Sequence, residues 1–337
     1  QDIMGIGGTS QWPTTIFRGI DQWGERYGYL LIDPIGGSIG AFAQGDGINT
    51  GGQARTPIGQ LPNVEHNEQL FPLLFLYRKE LPDSGGAGKF RGGLSAESCF
   101  IPHNTDHIVQ DTLSSGNAIP TSTGMMGGYP STTNAYTFIR NSDILERMAD
   151  SRLVEDASEV TGEPELLQLR QENFVQNAAD VYAVRWSGGG GFGDPLLRDS
   201  ERIAHDLEHL NITPAAARDI FGAVLDADEQ VDVAATAKNR GQIREARLTR
   251  LGNGHAPREI HSGEATLAAG DNLAVYGASN AAHWACAHCA ADLGPLADNY
   301  KDVCLREDLP VSASNPLVGD PINFIDNAVA FRLFYCP

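Results

Sequence analysis

Apolar and polar residues alternate along Val181-Tyr182-Ala183-Val184-Arg185-Trp186, the period of a strand. Ser187 and then four consecutive glycines, Gly188 to Gly191, break that period, and Phe192-Gly193-Asp194-Pro195 completes the turn. Beyond Pro195 the spacing lengthens to that of helices. Ile203, Leu207 and Leu210 share one face of a helix that Asp199 or Ser200 can cap. Ala217, Ile220, Val224 and Leu225 form the stripe of a second, with Thr213 as N-cap and Pro214 in the first helical position. Val231–Val233 reads as a short strand and Ala234–Leu248 as a third helix. Upstream, Trp12–Phe17, Tyr27–Leu31, Gly36–Phe42 and Phe71–Glu80 read as short strands between glycine and proline turns. Ser142–Gln171 is polar and acidic with leucines at intervals, which predicts an exposed helical insertion.

These patterns predict an α+β chain. A glycine-rich, mixed β-sheet domain occupies residues 1–195, and a helical segment of the same domain occupies 196–250. Composition shifts after Arg250-Leu251-Gly252-Asn253-Gly254, and residues 255–337 are expected to form a cysteine-bearing β module resembling a zinc ribbon. The 337 residues suffice for two or three domains with a sizeable core. A net charge of −19 makes nucleic acid a poor partner and sets the chain against anionic membranes. No apolar run approaches the roughly 18 residues of a membrane span. The opening Gln1-Asp2-Ile3-Met4 has neither a basic nor an apolar leader region, so no signal peptide and a cytoplasmic location are expected. Without Met at position 1, these residues are expected to be a fragment or a processed chain.

The Gly188–Gly191 loop admits two readings. It is either a tight turn packed on the core, or a set of bare N–H groups cradling an anion or substrate. It is not a Walker A loop, since no Gly-Lys-Ser/Thr follows, and not a Gly-x-Gly-x-x-Gly opening one helix. Asp46, Glu65 and Asp194 are candidate cleft carboxylates that could orient a metal or a proton. The plainer readings are a turn-stabilising carboxylate for Asp46 and a capping or surface carboxylate for Glu65. Lys89 and Arg91 sit in the glycine hinge Pro82–Gly93 and read as solvated charges on a hairpin. His103 with His107, and His205 with His209, lack further ligands at metal spacing and read as surface pairs.

Four of the five cysteines, Cys286, Cys289, Cys304 and Cys336, lie in the last part of the chain. Cys286-Ala287-His288-Cys289 is a Cys-x-x-Cys whose two thiolates can grip one tetrahedral ion. A structural zinc held by Cys286, Cys289, Cys304 and Cys336 is the expectation. His283, His288 or a residue past Pro337 are the alternatives for the fourth ligand. A disulfide is disfavoured without a secretory leader, and Asp292-Leu293-Gly294-Pro295 does not read as the helix a redox motif needs. Cys99 stands apart and is expected to be buried.

Gly189–Pro195, Arg198–Asp206 and Pro214–Leu225 resemble the C-terminal end of hydantoinase B-type subunits, a group with N-methylhydantoinase, 5-oxoprolinase and the acetone and acetophenone carboxylases. Pro82–Gly93 keeps the spacing of the family's most recognisable run. Ala43-Gln44-Gly45-Asp46-Gly47, Asn49–Gly52 and Pro62–Glu65 resemble its middle, and Gly124–Pro130 its glycine-rich turn. The tail, through Cys286–Cys289, Asn299-Tyr300-Lys301 and Phe331–Pro337, is similar to the small gamma-type subunit of acetone carboxylase, where the Cys-Pro run continues to a further cysteine. That pairing points to the ketone carboxylase branch, and to acetophenone carboxylase in particular.

The resemblance implies ATP-dependent carboxylation of a ketone by bicarbonate to a β-keto acid, through carboxyphosphate and an enol or enol phosphate. It places ATP with Mg or Mn on a hydantoinase A-type partner. It also implies another chain, or an earlier part of this one, supplying the N-terminal hydantoinase B half with that half's His and Asp positions; no catalytic residue is carried over from the family. No biotinyl Met-Lys motif is present. The alternatives are an ATP-dependent amidohydrolase that opens a hydantoin, oxoproline or lactam ring, and a non-catalytic scaffold subunit of such a complex.

Overall fold

The computed structural model describes residues 13–53, 56–57, 61–252 and 258–337. Gln1–Met4, Trp12 and the Asn253-Gly254 boundary lie outside them. Two antiparallel sheets face each other. One has the order Arg170–Asn177, His107–Leu113, Thr14–Ile20, Arg26–Leu30; the other has the order Leu73–Glu80, Ala96–Pro102, Val181–Arg185, Ala135–Arg140, Glu163–Glu165.

The strand Val181–Arg185 is the middle of the second sheet, and its two-residue period divides its side chains between two cores. Tyr182 and Val184 join Phe17, Phe100, Ile108, Phe138 and Phe174 between the sheets. Val181 and Ala183 join Cys99, Ile101, Ile139 and Ile144 on the far side. The alternation therefore does not mark a solvated face: Val181 to Val184 are all buried. Thr15 Oγ1 meets the buried Tyr182 hydroxyl at 2.7 Å across the sandwich, so that polar tip keeps a partner.

Ser142–Gln171 is not an exposed helical insertion. It holds one short helix, Ile144–Ala149, a 3-10 turn Ala157–Glu159 closed by an Asp156–Glu159 capping box, and the edge strand Glu163–Glu165. The aliphatic Ile144, Val154, Ala157 and Val160 fill the far side of the sheet, which a long solvated helix could not do. Gly36–Phe42 is likewise no strand. A 3-10 turn, Asp33–Gly36, leads into irregular chain whose partners are other glycine-rich runs.

The helices Ser200–Glu208, Pro214–Asp219 and Val233–Leu251 begin at Asp199, Thr213 and Asp232, whose side chains accept from Glu201, Ala216 and Ala235 amides. Asp232 is thus a cap rather than part of a strand, and only the bridge Leu225–Val231 remains of that pairing. Ile203, Ile212, Ala216, Ala217 and Phe221 pack with Ala87 and Tyr129. Leu210 falls past the first helix, at positive φ, and is exposed. Among the described residues no helix is long and apolar enough to cross a membrane.

The tail adds a four-stranded antiparallel sheet, Leu267–Ala269, Leu273–Tyr276, His283–Cys286, Asp292–Pro295, and a two-stranded one, Leu305–Pro310 with Ala330–Tyr335. It is anchored on the glycine-rich runs. Phe331 meets Tyr129 edge-on at 5.0 Å, Asn272 Nδ2 donates to Met126 O at 2.7 Å, and Asn315 Nδ2 donates to Asp83 O at 2.7 Å. The architecture is α+β, as the patterning implies.

Candidate functional site

The strand Val181–Arg185 delivers the Gly188–Gly191 loop into a knot of backbone. Four glycine-rich runs, around residues 39–47, 84–93, 124–129 and 188–193, meet there chain to chain. Ala41 N donates to Gly190 O at 2.9 Å, Gly93 N to Ile39 O at 2.9 Å, Gly86 N to Gly189 O at 2.8 Å and Met125 N to Gly191 O at 3.0 Å. The loop's own amides are engaged too: Gly189 N on Gly93 O at 3.0 Å, Gly191 N on Tyr129 O at 3.0 Å, and Gly190 N on Ser122 Oγ at 2.7 Å. The loop therefore has no free amides at these three positions to offer an anion. The packed-turn reading describes the geometry of Gly189, Gly190 and Gly191. Glycine is required because the backbones touch: a Cβ on Gly191 would stand 2.1 Å from Ala87 O.

Beside the knot lies an ion cluster. Arg198, 1% exposed, directs Nη1 to Asp46 Oδ1 at 2.7 Å and Nη2 to both Asp46 Oδ2 at 3.0 Å and Asp206 Oδ2 at 2.6 Å. Asp206 Oδ1 also accepts from Arg91 Nε at 3.3 Å and Asn211 Nδ2 at 3.1 Å. Asp46 Oδ1 accepts from the Arg91 amide at 2.6 Å, and Asp46 Oδ2 lies 3.1 Å from Arg202 Nη1. Arg91 is 5% exposed, so it is not a solvated hairpin charge: the hinge folds it under the helix Ser200–Glu208. Lys89, by contrast, stays half-exposed and pairs with Asp271 of the tail at 2.9 Å.

Asp46 is thus the acceptor that ties a glycine turn to a helix. Burial works to raise its pKa, but the Arg198 hydrogen bond and charge, with the Arg91 amide, outweigh it and hold the carboxyl below its usual range. A folded pKa below the unfolded value, about 3.9, contributes stability that is complete above that value and is lost as pH falls through the lower folded one. Asp46→Asn is expected to lower stability at neutral pH and to flatten its acid dependence below about pH 5. Urea denaturation of both chains across that range measures the difference.

Glu65 and Asp194 have other local roles. Glu65 is exposed in the first turn of the helix Val64–Leu70, where Asn63 is the cap. Asp194 caps the 3-10 turn Pro195–Leu197 through the Leu196 amide at 2.8 Å. Each of the three carboxylates serves its own local structure: an ion cluster for Asp46, a first helical turn for Glu65 and a 3-10 cap for Asp194. The hydrophobic pattern does not single out Arg198 or Asp206. One signal does point to Asp206: it lies three residues after the inward Ile203, a carboxylate on the buried face of its helix.

In the tail, the Sγ atoms of Cys286, Cys289 and Cys336 lie within 4.8 Å of one another, with Cys289 and Cys336 at 3.5 Å. The Cys-x-x-Cys turn supplies two, and the end of the strand Ala330–Tyr335 supplies the third. The His288 amide donates to Cys286 Sγ at 3.4 Å. A hydrogen bond from Cys336 lowers the Cys286 thiol to about 5, and the same contact pushes Cys336 up. Three soft sulfurs around one point suit a zinc ion. Cys304 is not among them. Its thiol turns back onto Tyr300 O at 3.3 Å, the start of the 3-10 turn that precedes it. His288 faces Asn272 and His283 faces Asp292, so neither completes the set. His205 and His209 stack in solvent at 4.0 Å, and Cys99 is buried.

Residues 3–195 match the family model of hydantoinase B/oxoprolinase. The chain belongs to the hydantoinase B/oxoprolinase family. The acetophenone carboxylase delta subunit of Aromatoleum aromaticum is 29% identical to this family member over 258 residues, covering 73% of this chain and 37% of that protein. The caprolactamase subunit beta of Pseudomonas jessenii is 28% identical over 185 residues, covering 53% of this chain and 28% of that one. A nucleotide-free acetone carboxylase structure superposes with a TM-score of 0.64 at 28% identity, covering 74% of this chain and 34% of that chain. This hydantoinase B/oxoprolinase chain thus spans about a third of the length of the relatives it matches.

Proposed function

We propose that this chain is a subunit of an ATP-dependent ketone carboxylase complex, which joins bicarbonate-derived carboxyl to a ketone to give a β-keto acid. ATP, with Mg or Mn, is bound by a hydantoinase A-type partner. The observation that carries this reading is the likeness to the acetophenone carboxylase delta subunit over 73% of the chain, against 53% for the caprolactamase subunit. The hydrogen bonding of the glycine runs supports the division of labour. Their amides at 189–191 face internal acceptors, so this loop contributes shape rather than a phosphate cradle. The knot and the Arg198 cluster fix sheets and helices against each other as a rigid wall. A division into 1–195, 196–250 and 255–337 belongs to the same proposal.

The thiols of Cys286, Cys289 and Cys336 would hold a structural zinc, whose role is to cross-link the Cys-x-x-Cys turn to the last strand. The caprolactamase relative supports a second reading, an ATP-dependent amidohydrolase. The test uses the natively purified complex with ATP, labelled bicarbonate and a panel of ketones, with hydantoin, oxoproline and a lactam as controls. ATP-dependent label in an acid product of acetophenone or acetone is the expected result. ATP-dependent ring opening without fixation would overturn it in favour of the hydrolase.

A further inference from the structure

A second cluster of metal-ligating atoms lies in the tail, on side chains that the thiol set leaves out. His261 Nε2 stands 2.8 Å from Asp292 Oδ2, and His283 Nδ1 stands 2.6 Å from the same oxygen. The three ligand atoms lie within 4.8 Å of one another. His283 begins the strand that Cys286 ends, so the two clusters are about 10 Å apart along one strand.

Three separate segments bring the cluster together, and Asp292 and His261 are each held from behind. Asp292 Oδ1 accepts from the Gly294 amide at 2.8 Å, which leaves Oδ2 facing the rings. The bridge Ile260–Ala291, with His261 N donating to Ala290 O at 2.9 Å, delivers His261 to the hairpin. The Tyr276 ring lies flat on His261, with centroids at 4.8 Å and planes at 10°, and Tyr276 is the strand partner of His283. Such backing orients ligands in metal sites.

We propose that His261, His283 and Asp292 form a binding site for a divalent transition-metal ion of the zinc and cobalt class, distinct from the thiol set. Two imidazole nitrogens and one carboxylate oxygen suit these ions, and they are harder donors than the three sulfurs nearby. The side chains are 21%, 36% and 19% exposed, which gives an ion a route in and leaves room for water on it. A hydrogen-bonded clasp alone explains the convergence less well. Partly exposed pairs contribute little to stability, yet three side chains from separate segments converge on one point, two of them braced by neighbours outside the cluster. The inference rests neither on the carboxylase reading nor on zinc at the thiols.

The test loads the full chain, stripped by chelator, with cobalt(II), and follows bound metal per chain together with absorption. A bound ion without thiolate-to-cobalt charge transfer is expected, whether or not a second one shows that band. Asp292→Asn, which keeps an oxygen facing the rings, is expected to weaken this ion by at least the roughly 10- to 100-fold that losing an outer-shell partner costs, with the far-ultraviolet dichroism of the metal-free chain unchanged. His283→Ala should do the same, and Cys289→Ser should remove only the charge-transfer band. The site is overturned if no cobalt binds outside the thiol band. It is equally overturned if Asp292→Asn and His283→Ala leave that ion in place, or if Asp292→Asn lowers the melting temperature of the metal-free chain while metal binding is unchanged, the behaviour of a clasp.

Discussion

Arg198→Met is expected to lower folding stability by about 3–5 kcal/mol, the cost of stranding buried charge when one partner of a buried pair is removed. Arg198 reaches both Asp46 and Asp206, and Asp206 is 1% exposed. Methionine fills a similar volume but offers neither carboxylate a donor. Asp206 would keep Arg91 at 3.3 Å and Asn211, and Asp46 would keep the half-exposed Arg202 and the Arg91 amide. Arg198→Lys should recover only part of the loss, because an ammonium cannot span two carboxylates in the plane of a guanidinium fork. Urea denaturation reads both variants. A loss below about 1 kcal/mol for Arg198→Met, the scale of an exposed pair, would mean that the remaining donors carry the cluster without it.

Gly191→Ala is expected to cost about 3 kcal/mol or more, at or above the upper end for overpacking a core. The added methyl would meet Ala87 O at 2.1 Å and Gly86 O at 2.6 Å, and both are backbone atoms that cannot rotate away. Moving them would disturb the bonds from Tyr129 N to Ala87 O and from Gly92 N to Gly86 O. Gly241→Ala is the control. It lies within the helix Val233–Leu251 with nothing within 4 Å of its Cβ position, so alanine there should stabilise by about 0.5–1 kcal/mol. Thermal melts of the two variants moving in opposite directions would separate backbone crowding from a general intolerance of substitution.

What was legible in the chain was local. The strand through Tyr182, the caps at Asp199 and Thr213 and the Cys-x-x-Cys turn each declare themselves within a few residues. The ion cluster did not, because Asp46, Arg91, Arg198 and Asp206 are joined only by the fold and no period links them. Arginine's usual preference for solvent misplaces Arg91, because the buried Asp206 carboxylate overrides it. Spacing alone could not separate Cys304 from Cys336. One thiol turns back on its own 3-10 turn, and the other ends a strand that leads to the Cys-x-x-Cys. The glycines of 188–191 signalled close approach correctly, but not to what: the neighbour at Gly191 is the protein's own carbonyl.

The knot also sets the order in which the molecule can be built. Its four backbone runs come from widely separated parts of the chain, and the last of them follows the central strand of its sheet. Until residues 188–193 have left the ribosome, Ala41, Gly86 and Met125 lack the carbonyls their amides bond, and the sheet beside them lacks its middle. Early segments must wait with open edges, the situation in which chains of high contact order fold slowly and aggregate. The same glycines whose close contacts complete the finished knot therefore delay its closure until the last of the four runs is made.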